Sequence, residues 1–415
     1  MSYLAFKYKL KPTKEQAEIL SQYAGSCRYI WNYFLGQNKE QYQLDKKFVF
    51  KYQTIPQLPK LKQELIWLAD VPSQALQQKL LDLDTAIHRC YKSKFGFPKF
   101  KKKSDNSNSF RLVQSNGNNP HIKPSKKQIK IPKLGWIKWI KHRELQGKLK
   151  SITIKQEGDG WYCVCLCEQT TVIEQKALDK NKLVGIDLGL IDFAVLSDTQ
   201  IIETPKLYRK KQKKLKRAQR RLAKKMKGSK NREKAKRKVR KIHLKIRNSR
   251  QDFTHKASTA ITKQYDFIGV EDLNIDGIKR RFGKSVSDQG WAMFITQLIY
   301  KSLRNGGITV KIDRFAPSTK TCSNCGATHN LTLAQRQFIC DVCGLNISRD
   351  LNAAINIKNW AWEILTKNTA GTAGIQACGV TSDGADDISS ASYVALKQEK
   401  FCAIGTEART SLDCE

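Results

Sequence analysis

Acidic side chains are scarce in this sequence, with 37 Asp and Glu against 76 Lys and Arg in 415 residues, a formal net charge of +39. Solubility alone needs far less. A charge of this size suits a polyphosphate partner, because each cation that neutralises a phosphate releases a condensed counterion. An anionic membrane would also attract it, yet there is no apolar run of about 18 residues and no basic segment followed by an apolar one. The expectation is a soluble, cytoplasmic chain with no membrane partner. The 12 cysteines are spread too thinly for the disulfide framework of a small secreted domain, so reduced thiols and a metal site are expected. No long internal repeat is present. The length leaves room for two or more domains.

Residues 3–10 mix apolar and basic positions and read as a strand. Pro12-Thr13 opens a helical pattern, with Thr13 as N-cap and Gln16 at capping-box spacing. Apolar residues then recur at helical spacing to about Lys94: Ile19, Leu20, Tyr23, Ile30, Trp31, Phe34 and Leu35, and later Leu76, Leu80, Leu83 and Ile87. The cluster of Tyr29, Trp31, Tyr33 and Phe34 can stack on bases, although aromatics at helical spacing are more often packing core. Phe97-Pro98-Lys99-Phe100 ends the helices. Between 110 and 178 the period shortens to that of strands, at Ile129–Ile131, Trp136–Ile140, Leu149–Gln156 and Trp161–Glu168. A small barrel is expected, completed by the first strand of the chain. Cys163, Cys165 and Cys167 alternate along one strand and face one side; with no matching ligand pair nearby, they read as small buried hydrophobes.

From Lys206 to Arg250 there are 24 Lys or Arg in 45 residues and one acid, Glu233. A sparse apolar stripe (Leu207, Leu215, Leu222, Met226, Val239, Ile242, Ile246), broken at Gly228-Ser229, predicts two basic amphipathic helices joined by a turn. So nearly single-signed a run repels itself without a polyanion, which favours contact with a phosphate backbone. After about Thr369 the composition turns to Gly, Ala, Ser, Thr and acids. The reading there is a weakly structured extension.

The chemistry sits in three short stretches. Lys182 to Leu190 reads as an apolar strand carrying one carboxylate, Asp187, followed by a return strand at Ile191–Leu196. A charge in an apolar run is costly unless paired, and a metal is a usual partner. Alone, such an Asp more often caps a tight turn. Gln264–Leu273 repeats the theme, an apolar strand running to Glu271. Downstream, Cys322-x2-Cys325 and Cys340-x2-Cys343 are separated by fourteen residues, the spacing of a four-cysteine zinc ribbon and just short of the usual intervening range. Two such pairs together disfavour a redox motif, and four protein ligands leave zinc no open position, so its role should be structural. Directly after it, Asp350 opens an amphipathic helix. Three carboxylates on two strands and a helix can converge on a pair of divalent cations, as phosphodiester cleavage requires, and oxygen ligands select Mg²⁺ or Mn²⁺.

The order G-I-D-L-G, V-E-D-L, then the ribbon running into S-R-D-L-N-A-A-I-N-I resembles the TnpB family, the insertion-sequence-encoded proteins ancestral to type V CRISPR effectors. The opening Lys9-Leu10-Lys11-Pro12-Thr13 with Cys27–Asn32, and Phe97–Lys101 in the middle, are similar as well; the likeness spans roughly residues 1–380. It implies a multidomain α+β chain. The parts would be a wedge barrel (1–10 and 110–178), an inserted helical recognition domain (11–109), a RuvC-like nuclease of RNase H type (179–313, with the basic hairpin 206–250), a zinc ribbon (314–345), the last RuvC helix (346–368) and the tail (369–415). It also implies an RNA-guided DNA endonuclease in the prokaryotic cytosol, associated with the nucleoid. Its partners would be a guide RNA from its own element and double-stranded target DNA, with one protein copy on the RNA. The family's catalytic acids carry over onto Asp187, Glu271 and Asp350, which would hold Mg²⁺ or Mn²⁺, and its zinc ligands onto Cys322, Cys325, Cys340 and Cys343. One departure is Ser348, where the family often has an acid. The rival readings are a nuclease-inactive guided repressor and an unguided zinc-ribbon transposition factor.

Overall fold

The computed structural model describes residues 2–93, 96–103, 108–114, 120–169, 173–205, 207–275, 277–278, 280, 283, 289–332 and 335–369. The tail expected beyond 369 lies outside the described residues. The chain divides near residue 171 into two compact units.

The first unit opens with strand β1 (Ser2–Lys11), followed by the long helix α1 (Lys14–Asp45). Thr13 caps that helix as expected: its hydroxyl accepts from the Gln16 amide, and the Gln16 side chain accepts from the Thr13 amide. The chain leaves α1 through Lys46 in the left-handed region. Two short helices, α2 (Lys51–Thr54) and α3 (Leu58–Glu64), lead to α4 (Ser73–Ser93). The strands β2 (Ser109–Val113), β3 (Lys123–Pro124), β4 (Gln128–Ile131), β5 (Gly135–Ile140), β6 (Lys148–Glu157) and β7 (Gly160–Gln169) join β1 in one antiparallel sheet ordered β2-β6-β7-β1-β5-β4-β3. The first strand of the chain thus lies between β7 and β5. The expected barrel is not closed by strand pairing among the described residues. Instead the Gln114 carboxamide, just past β2, accepts from the Ile122 amide and donates to its carbonyl just before β3. One continuous core runs from the sheet (Tyr8, Ile152, Ile154) into the helices (Leu20, Phe34, Leu76).

Cys163, Cys165 and Cys167 are fully buried on one face of β7. Hydrogen bonding to Cys165 and burial hold the Cys163 thiol far above its ordinary range, so these are packing groups. The aromatic cluster of α1 divides in two. Trp31 and Phe34 are core, whereas Tyr29 and Tyr33 are exposed and stack on each other, with Trp67 edge-on to Tyr29.

The second unit is built on a five-stranded sheet ordered β10-β9-β8-β11-β12. Its strands are β8 (Leu183–Asp187), β9 (Asp192–Leu196), β10 (Ile201–Glu203), β11 (Phe267–Glu271) and β12 (Ile308–Ile312). β8, β11 and β12 run parallel, and β9 is antiparallel to both its neighbours. Side chains alternate across a strand, so Val184, Ile186, Ile268 and Val270 face one layer and Leu183 and Phe267 the other. The first layer is α6 (Lys230–Gln264) with α7 (Trp291–Arg304); the second is the last helix, α8 (Arg349–Thr369).

The basic stretch forms α5 (Leu207–Ala223) and the start of α6, joined at Gly228-Ser229, where Ser229 caps α6 by accepting from the Arg232 amide. Leu215, Ala218, Ile242 and Ile246 zip the pair, while Met226 of the predicted stripe is exposed. α6 does not end at Arg250, the limit set for the hairpin. Small and apolar positions recur at helical spacing through Thr254, Ser258 and Ile261, and the helix runs on to Gln264 with these buried, Ile261 in the core beside the sheet and Ser258 bonded to Gln297 of α7. The last helix begins at Arg349, because residues 346–348 form a strand, β14 (Asn346–Ser348), paired with β13 (Gln337–Ile339). Among the described residues, no helix is long and apolar enough to cross a membrane.

Candidate active site and metal centre

β8 and β11 share one pattern: four buried residues, then a half-buried carboxylate. They pair in parallel register through Gly185↔Gly269 and Val270↔Ile186, so the next residues, Asp187 and Glu271, stand side by side at the ends of adjacent strands. Both lie two positions beyond a glycine, on the face that carries α8. The glycines explain how closely that helix approaches. A β-carbon on Gly185 would meet the Ala354 carbonyl oxygen at 2.1 Å, and one on Gly269 would meet the Ile357 carbonyl oxygen at 2.9 Å. Asp350 lies one turn before Ala354, and so above the same strand ends.

Asp187 responds to this setting. Burial raises its pKa first, then the negative charges of Asp350 and Glu271, to about 7, against the pull of Arg349 and the Leu188 amide. Burial also raises Glu271, with Asp272 adding to it. The adjacent acid behaves differently. Asp272 loses solvation, but hydrogen bonds from Arg314 (2.6 Å) and Lys311 (3.2 Å) outweigh that and lower its pKa. Asp272 has its cations beside it, whereas the pKa values of Asp187 and Glu271 stay raised. Among the described residues, the carboxylate oxygens of Asp187, Glu271 and Asp350 do not all fall within 4.8 Å of one another, as the four thiols downstream do. Three neighbouring anions repel unless cations or protons offset their charge. Hard oxygen donors on a buried rim fit Mg²⁺ or Mn²⁺.

Two residues that the sequence reading passed over shape the rim. Arg349 contacts Asp350 at 3.5 Å and donates to the Gln335 carbonyl at 2.9 Å, placing a fixed cation beside the acids. Gln289, almost wholly buried, donates to the Leu190 carbonyl and the Thr204 hydroxyl, pinning the turn that follows Asp187. Arg349 could have been suspected from its place beside Asp350. Gln289 carries no such signal, since its partners lie about a hundred residues upstream.

The four cysteines meet. Cys322 and Cys343 sulfurs are 3.6 Å apart, as are those of Cys325 and Cys340, and all four fall within 4.8 Å. A tetrahedron with metal–sulfur bonds of about 2.3 Å has edges of about 3.8 Å, so the cage has the size for zinc. The two knuckles are built alike: the Cys322 amide donates to the Ala327 carbonyl and the Cys340 amide to the Leu345 carbonyl. Hydrogen bonds from the Asn324 side chain and the Leu345 amide pull the Cys343 thiol down to about 6, while Cys325 in the same cage is pushed up to about 12, so the four thiols share their charge unevenly.

Known proteins resemble this chain along most of its length. A family model described as "Probable transposase" (OrfB of IS605) matches residues 162–281, one described as "Cas12f1-like, TNB domain" matches 291–357, and a "Helix-turn-helix domain" model matches 1–47, where this structure has a strand and one continuous helix. A protein of Escherichia coli K12 named "Putative RNA-guided DNA endonuclease InsQ" is 33% identical over 375 residues, covering 85% of this chain and 91% of its own length. A Streptomyces pristinaespiralis protein named "Putative RNA-guided DNA endonuclease" is 33% identical over 361 residues, covering 85% of this chain and 88% of its own length. A solved Cas12f1–sgRNA–target DNA complex superposes with a TM-score of 0.56 at 17% identity, over 84% of this chain and 83% of that one. The fold is therefore a mixed α/β architecture of the Cas12f1 kind. The chain belongs to the TnpB family, OrfB of IS605.

Proposed function

We propose that the chain is an RNA-guided DNA endonuclease that cleaves by metal-dependent hydrolysis in a RuvC-like site. The observation that carries this is the pairing of Asp187 and Glu271 on adjacent parallel strands beneath Asp350, with Asp187 raised to about 7 by burial and by the other two acids. Two bound divalent cations, Mg²⁺ or Mn²⁺, would activate water and stabilise the leaving oxygen. Asp187, Glu271 and Asp350 would hold them, and Arg349 would limit the repulsion among the acids. In the reaction, a water oxygen forms a bond to phosphorus as the bond to the leaving sugar oxygen breaks, and that oxygen takes up a proton.

The five-stranded unit with α8 is then the RuvC-like nuclease, and 314–348 the structural zinc ribbon held by Cys322, Cys325, Cys340 and Cys343. The seven-stranded sheet is the wedge, carrying the helical recognition region. The guide RNA comes from the protein's own element, and one copy of the chain sits on it in the prokaryotic cytosol. Base pairing selects double-stranded target DNA next to a short motif read by the protein. A net charge of +39, with 24 Lys or Arg and one acid between residues 206 and 250, supports this division of labour, because it suits backbones and does not read bases. RNA copurifying with tagged protein, from cells carrying its native flanking DNA, tests the reading. A discrete species whose 3′ end extends past the element boundary is expected; a smear of cellular RNA at high salt would overturn guidance.

A further inference from the structure

The ribbon and the last helix are joined by two side chains that belong to neither metal set. Asn352 and Asn356 lie one turn apart on α8 and are 0% and 4% exposed. The Asn352 Oδ1 accepts from the Ser323 amide at 2.9 Å, and its Nδ2 donates to the Thr321 carbonyl at 2.7 Å. The Asn356 Nδ2 donates to the Ser318 carbonyl at 2.8 Å and to the same Thr321 carbonyl at 2.7 Å. Thr321 and Ser323 flank Cys322, so the pair grips the backbone of the first zinc knuckle. Arg349 closes the other side: its amide donates to the Arg336 carbonyl at 2.8 Å, just before the strand β13 that leads to Cys340.

Burying a carboxamide is costly unless its donors and acceptor are paired. Here all of these bonds go to one short loop, whose shape zinc would fix. Asp350 lies two residues before Asn352, in the same first turn, so what fixes that turn fixes its carboxylate. We propose that Asn352 and Asn356 are positioning residues that couple zinc occupancy of the ribbon to the placement of Asp350. The inference rests on the reading of Asp350 as a cation-holding carboxylate. With zinc bound, the knuckle presents its three backbone groups in register and locks the helix start; without zinc, those partners disperse and the first turn loosens.

The test uses the protein–guide RNA complex as wild type, Asn352→Ser and Asn356→Asp, the last an isosteric change that turns a donor toward two carbonyls into an acceptor. Hydrogen exchange is followed at residues 350–353 and at 361–365, with zinc and after chelation. In wild type, chelation should speed exchange of the first turn by roughly tenfold and leave 361–365 unchanged. In the variants exchange should already be fast with zinc fully bound, and chelation should add little. The half-saturating Mn²⁺ for cleavage should rise by about tenfold, with the rate recovering at saturating Mn²⁺, as for residues that orient metal ligands. Equal responses to chelation in variant and wild type, or unchanged Mn²⁺ dependence, would overturn the coupling. A cleaving Asp350→Ala protein would instead overturn the assignment of Asp350, while the exchange result would stand.

Discussion

Gly185 faces the backbone of Ala354 so closely that a β-carbon there would stand 2.1 Å from the Ala354 carbonyl oxygen and 2.5 Å from the Lys358 amide. The strand bearing Asp187 and the helix bearing Asp350 thus meet backbone to backbone, with no room for a side chain. Gly185→Ala must push them apart. Overpacking of this kind costs about 1–3 kcal/mol, which a melting curve would register. Cleavage should fall further than stability does, because Asp350 moves with the helix. Unchanged melting and unchanged cleavage would contradict the close approach.

Asp187 gives the metal-free protein a defined pH dependence. Its pKa stands at about 7, raised first by burial and then by Asp350 and Glu271, whereas an unfolded chain titrates near 3.9. The folded state therefore binds this proton more tightly. The stability it contributes is complete below about pH 4 and is lost as pH rises through about 7. Without divalent cations, the melting temperature should decline between pH 5 and pH 8, and Asp187→Asn should remove part of that slope. Stabilisation by Mn²⁺ should grow over the same interval, since a cation competes with the proton. Melting curves with and without Mn²⁺ at four pH values decide it, and a Mn²⁺ effect that weakens with rising pH would contradict the assignment.

The cysteine cage predicts one zinc per chain. Cys322→Ser opens the knuckle gripped by Asn352 and Asn356, so the ribbon should unfold, zinc content should drop towards zero and cleavage should be lost, with guide RNA still bound. Zinc binding at structural sites is worth on the order of 10 kcal/mol, so no partial effect is expected. Elemental analysis and RNA retention measure both sides. Unchanged zinc content with full activity would refute the cage.

The carboxylates and cysteines were legible because their signals are local. An acid ending an apolar strand, or paired cysteines at fixed spacing, needs no knowledge of the rest of the chain. Asp187 and Glu271 stand where that reading put them, at strand ends, and Asp350 in the first turn of a helix. Long-range partners were not legible. The stretch Phe97–Lys101 docks on α1: the Trp31 indole donates to the Lys99 carbonyl, and Asn32 exchanges two hydrogen bonds with Lys101. The sequence shows two motifs there without showing that they touch. Tyr29 and Tyr33 share a helix face with each other and leave the core to Trp31 and Phe34, a division set by tertiary packing. The extension of α6 past Arg250 was missed because the change from basic to small residues looks like a boundary, although the helical period continues across it.

In the proposed function the paired strand ends do the cutting and other surfaces do the recognising. The most direct measurement compares Asp187→Ala with wild type, each loaded with the same guide RNA, for both target binding and target cleavage in Mg²⁺. Asp187→Ala should bind RNA and target within about threefold of wild type and cleave at least roughly a thousandfold more slowly, since it would lose one of the carboxylates proposed to hold the cations. Cleavage near the wild-type rate, or a loss of binding as severe as the loss of cutting, would contradict it.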